Sequence, residues 1–100
     1  MATYLVLTSF TGSETGVDSE SIKDAMADGA PEARKLIEAH GGKLVEIYMT
    51  MGQFDGAMIV EFPDDLSCTQ TMLTFREFGV STQTLRAYPE GEWGKIAAGI

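Results

Sequence analysis

Apolar and polar positions alternate along four stretches of the chain and recur at three- and four-residue spacing between them, which predicts strands separated by helices. "YLVLTSF", Tyr4 to Phe10, is rich in β-formers and apolar on both faces: Tyr4, Val6 and Phe10 on one, Leu5 and Leu7 on the other. That pattern marks a central strand covered on two sides. The polar, glycine-bearing "TGSETGVDSES" follows as a loop, with Asp18 or Ser19 as N-cap of a helix carrying Ile22, Ala25 and Met26 at helical spacing. Gly29 and Pro31 are expected to interrupt it, because proline donates no backbone hydrogen bond. A new helix then starts at Pro31, with Ala33, Leu36, Ile37 and His40 as its buried stripe and Gly41-Gly42 as its stop.

In "KLVEIYMTM", simple alternation puts Val45, Ile47, Met49 and Met51 on one face and Leu44, Glu46, Tyr48 and Thr50 on the other. "AMIVEF" sets Met58, Val60 and Phe62 opposite Ala57, Ile59 and Glu61. "PDD" then ends the strand and caps, through Asp64 or Asp65, a helix from about Leu66 to Phe78. That helix is expected to bury some of Leu66, Met72, Leu73, Phe75 and Phe78. "VSTQTLRAY" is the last strand, and "PEGEWGKIAAGI" forms a loose C-terminal helix over about 90–98 with Trp93 and Ile96 on one face.

The order β, α, β, β, α, β, with right-handed crossovers, places both helices on one face of a four-stranded antiparallel sheet of order four, one, three, two. The expected fold is therefore α+β, a ferredoxin-like βαββαβ plait, as one domain over residues 1–100. Helices cover only one side of this sheet, yet its first three strands are apolar on both. A second copy of the chain is the expected cover, in a homodimer or higher homo-oligomer.

Charge narrows the partners. Fifteen acidic against seven basic residues give a formal charge of −8, and the basic residues nowhere cluster beyond two. Phosphate backbones and anionic lipid are repelled, so neither nucleic acid nor a membrane is an expected partner. Cys68 is the single cysteine and His40 the single histidine, which leaves no disulfide and no metal expected. "MATYLVLTSF" lacks a basic region and its apolar run is too short for a signal peptide or a span, so a cytoplasmic protein is expected.

"APEARKLIEAHGGKLVEIYMTMGQFDGAMIVEFPDD", followed by "GVSTQTLRAYPEGEW", resembles the GYD domain family, and the likeness runs from "TYLVLTSFT" through "LRAY". Its distinctive parts are the "GGK" after the helix, the glycine, aromatic, aspartate turn, the "PDD" helix start and the "TLRA" strand. The resemblance implies a small bacterial or archaeal protein of the dimeric α/β-barrel type. It implies no established catalytic residue and no cofactor. The chain departs from the family where Phe54 stands in place of a common tyrosine and where "GSETGVDSES" makes a longer loop.

Each candidate site residue carries a structural reading beside the functional one. Asp55-Gly56 in "TMGQFDG" is a hairpin turn dipeptide, while Phe54 and Asp55 would also suit the rim of a ligand cleft or a subunit contact. His40 is a candidate general base or ligand, and equally a helix C-terminal cap. Glu46, Tyr48 and Thr50 share a face of the second strand, and Thr82, Thr84, Arg86 and Tyr88 a face of the fourth. Glu46 or Glu61 with Arg86 is expected as an ion pair across a dimer interface. Met49, Met58 and Met72 are core residues or the lining of a pocket for a flat apolar ligand. Cys68 reads as an inert buried thiol.

No phosphate loop, nucleophile elbow or metal motif is present. The leading functional expectation is a homo-oligomer that binds a small apolar or aromatic molecule between sheet and helices. One alternative is a cofactor-independent monooxygenase or isomerase with His40, Tyr48, Asp55 or Arg86 near the cleft; another is a structural assembly module.

Overall fold

The computed structural model describes residues 1–10 and 19–100. Along the chain run β1 (Ala2–Phe10), α1 (Ser19–Ala39), β2 (Lys43–Met49), β3 (Gly56–Phe62), α2 (Asp65–Glu77), β4 (Val80–Ala87), a 3-10 turn (Glu90–Glu92) and α3 (Trp93–Ala98). The four strands pair antiparallel in the order β2-β3-β1-β4, the expected ferredoxin-like arrangement with β1 inside. The loop expected from Thr11 and the cap at Asp18 lie outside the described residues; Ser19, the other expected cap, is already inside α1.

Register decides what each face carries. Tyr4 lies opposite Val60 and Arg86, and Val6 opposite Met58 and Thr84, on the side that the helices cover. With Phe62, Leu44, Ala33, Ile37, Cys68, Met72 and Phe75 these apolar residues form the core, and Val6, Ile37, Val60 and Phe62 are wholly shut off from water. On the other side Leu5 lies between Ile59 and Leu85, and Leu7 between Ala57 and Gln83. Among the described residues, no helix covers that side. Leu5, Leu7 and Ile59 are only half-buried there, and Leu85 and Tyr48 are exposed.

Three expectations are corrected. α1 is continuous through Gly29 and Pro31. One proline removes a single intrahelical bond, and the carbonyl it leaves free, on Ala27, sits on an exposed residue where water satisfies it. Burial of Ala33 and Ile37, two and six residues past the proline, keeps the axis in place.

In β2 the register shifts between Leu44 and Glu46: Leu44 pairs with Val60, Glu46 with Ile59, and Val45 is the extra residue of a bulge. The bulge reverses the alternation predicted for Leu44, which joins Ile47 on the helix side while Val45 turns out to be exposed.

Asp55-Gly56 does not form the hairpin turn; Gly56 is the first residue of β3, and the positive φ of the connection belongs to Gly52, at 109°. Gly56 is required for a different reason, since a Cβ there would come within 2.8 Å of Thr8 Oγ1 and 3.1 Å of the Tyr48 carbonyl oxygen.

α2 buries Met72 and Phe75, some of the five residues expected there, together with Cys68 and Thr71, while Leu66, Leu73 and Phe78 are exposed. The helix starts where "PDD" puts it: Asp64 is the N-cap, accepting hydrogen bonds from the Ser67 amide at 2.8 Å and the Ser67 hydroxyl at 2.7 Å. These two donors hold its carboxyl below the usual carboxylate range. Past β4 the chain projects as an arm on which Trp93, Ile96 and Ile100 are exposed, tied back by the Trp93 indole donating to the Tyr88 carbonyl at 2.9 Å. Among the described residues, no helix is long and apolar enough to cross a membrane.

Candidate functional site

The antiparallel pairing of β1 with β4 brings three polar side chains of the edge strand, Thr82, Thr84 and Arg86, beneath α2, opposite Thr8, Val6 and Tyr4 respectively. Helical spacing from Asp65 turns Cys68, Thr69, Met72 and Arg76 toward the same strand. Because β4 is the edge strand and its side chains from Gln83 to Arg86 are exposed, α2 roofs it incompletely and a groove remains. One end, about 330 Å³, is lined by Tyr4, Asp65, Cys68, Thr69, Thr84 and Arg86. The other, about 260 Å³, shares Cys68, Thr69 and Thr84 and adds Met72, Leu73, Arg76 and Thr82. The shared residues make them one continuous groove.

Tyr4 is the fixed point of this groove. Its ring meets Phe62 edge-on, with centroids 6.2 Å apart and planes at 66°, and its hydroxyl donates to the Asp65 carboxylate. Burial, then the hydrogen bond to Asp65 and the charge of Asp65, push the phenol up to about 12, against a smaller lowering by Arg86. Burial, then Asp65, push the Cys68 thiol up to about 11. At neutral pH both groups stay protonated, so neither is an activated nucleophile. Arg86 donates through Nη1 to the carbonyl of Thr3 at 3.0 Å and to that of Ala87, and its guanidinium lies 5.6 Å from the Tyr4 ring centre and 4.4 Å from that of Tyr88. Two carbonyls and two aromatic faces thus orient it.

Of the residues singled out by sequence, Cys68, Met72, Thr82, Thr84 and Arg86 reach this groove. Met58 is buried in the core, 2% exposed. Tyr48 and Met49 are exposed on β2, the opposite edge of the sheet. Asp55 ties the β2–β3 connection to the end of β1: its carboxylate accepts from the Phe10 amide and its own amide donates to Thr8, both at 2.8 Å. The Phe54 carbonyl accepts from the Thr50 hydroxyl at 2.6 Å. His40 holds the Leu36 carbonyl through Nδ1 at 2.9 Å, the cap arrangement of a helix end.

The expected ion pair of Arg86 with Glu46 or Glu61 meets a geometric obstacle. Glu46 pairs with Ile59 and Glu61 with Thr3 on the uncovered face, whereas Arg86 lies opposite Tyr4 on the helix face.

Sequence reasoning missed Tyr4, Asp65, Thr69 and Arg76. The available signal was the run of polar residues at every second position of β4, which had to meet something under the helices. Among the described residues, no group of three or more histidine, cysteine or acidic side chains is placed to hold a metal ion.

A four-stranded plait with one face bare and an arginine-bearing groove under its second helix defines a small ferredoxin-like α+β protein. The GYD domain family model matches residues 4–97, and the chain belongs to that family. No curated protein matches it.

Proposed function

We propose that the protein is a homo-oligomer that binds a small apolar or aromatic molecule between α2 and the sheet, and that it works in the cytoplasm. The observation that carries the ligand reading is the groove itself: about 330 Å³ at its larger end, at the lower limit of ordinary small-molecule sites, with an aromatic phenol, a thiol, two threonine hydroxyls and a guanidinium converging on it. The oligomer reading rests on the uncovered face, where Leu5, Leu7, Ile59 and Leu85 lie side by side. A face-to-face dimer of the α/β-barrel type buries that face and leaves each groove open on the outside.

An enzymatic reading, isomerase or monooxygenase, has less support. The thiol and the phenol in the groove are held protonated, and the Asp65 carboxylate is engaged by Tyr4.

The test is an aromatic fragment set screened against the labelled protein by NMR. Binding should move the amide signals of Thr69, Met72, Thr82 and Thr84 together. A set in which no fragment perturbs those four would remove the ligand reading.

A further inference from the structure

We infer that the groove under α2 takes an organic anion: a flat apolar or aromatic body bearing a carboxylate, with the carboxylate received by Arg86. This deepens the ligand reading above and rests on it.

Three observations converge. The first is the state of Arg86. Its Nη1 is used on the carbonyls of Thr3 and Ala87, while its remaining N–H groups have no partner among the described residues. The ion pair found among those residues, Lys35 with Glu32, is elsewhere. An oriented guanidinium with free donors is a preformed half of a bidentate carboxylate contact.

The second is charge. The chain has fifteen acidic residues and only three arginines, Arg34, Arg76 and Arg86. Two of those three line this groove. Arg76 also complements the C-terminal end of α2, a sufficient structural reason for it alone, but Arg86 on a strand has no such role. Among the described residues the carboxylate lining the groove is that of Asp65, which already accepts the Tyr4 hydroxyl.

The third is the wall between the two arginines, where Met72 and Leu73 give apolar surface and Thr69 and Thr84 give hydroxyls. That combination suits an apolar body with a polar end.

The experiment titrates the full chain with 2-naphthoate and, separately, with its neutral counterpart 2-naphthamide, by calorimetry and by NMR mapping. The acid is expected to bind about tenfold more tightly than the amide at low ionic strength. Arg86→Gln should remove that preference, bringing acid and amide to equal affinity. Equal binding of acid and amide at the groove overturns the anion inference and leaves the ligand reading standing. Binding of neither overturns both. An acid preference that survives in a folded Arg86→Gln protein overturns the role of Arg86. The acid-to-amide comparison on the unmodified chain stands whether or not the variant folds.

Discussion

At the scale of single residues, close approach decides more than backbone freedom. A Cβ on Gly42 would stand 2.5 Å from the Phe62 ring and 2.8 Å from the Glu61 carbonyl oxygen, so its missing side chain is what lets the α1–β2 connection pass the core. Gly42→Ala is expected to destabilise the fold by about 1–3 kcal/mol, the usual cost of overpacking, which denaturant unfolding will measure. A second residue-scale prediction concerns Tyr4. Its phenol is raised in the folded state to about 12 from 10.0, so the folded protein holds that proton more tightly than the unfolded chain. The stability this contributes is complete below pH 10 and is lost as the pH rises from there toward 12. Absorbance titration should show one of the three tyrosines ionising late, and Tyr4→Phe should abolish that late step.

At the scale of elements, β2 makes the clearest case. Regular alternation groups Leu44 with Glu46, yet the bulge at Val45 moves Leu44 to the helix side, where it is 8% exposed against 41% for Val45. Leu44→Ala should therefore cost about 2–5 kcal/mol. Val45→Ala should stay within about 0.5 kcal/mol. Comparable losses at the two positions would contradict the bulge. α1 teaches the complementary lesson: Pro31 is a local signal for a break, overridden because the lost bond is paid for by solvent on one side and by the burial of Ile37 on the other.

At the scale of the molecule, the question is what covers the bare face of the sheet. Leu5 is its central residue, flanked by Ile59 and Leu85. Light scattering on the unmodified protein should give a mass twice the 10.8 kDa of the chain or more. Leu5→Glu, which sets a charge at the middle of that face, should shift the particle to a single chain with its helical circular dichroism retained. A unit of one chain before any substitution would remove the dimer.

The alternation of Tyr4, Val6 and Leu5, Leu7, the "PDD" cap and the order of elements were enough to read the plait from sequence, because each depends on contacts within a strand, a turn or one helix start. Their outcome needs no knowledge of distant partners. The groove depended on more. Tyr4 and Arg86 are eighty-two positions apart and meet only through the β1–β4 register; Asp65 joins them only because α2 crosses above. Side-chain spacing along the chain carries no record of such meetings. The bulge at Val45 belongs with the groove, since one extra residue reverses a face without altering the composition of the strand. What local periodicity determined here was the architecture, and what packing alone decided was which polar groups share a space.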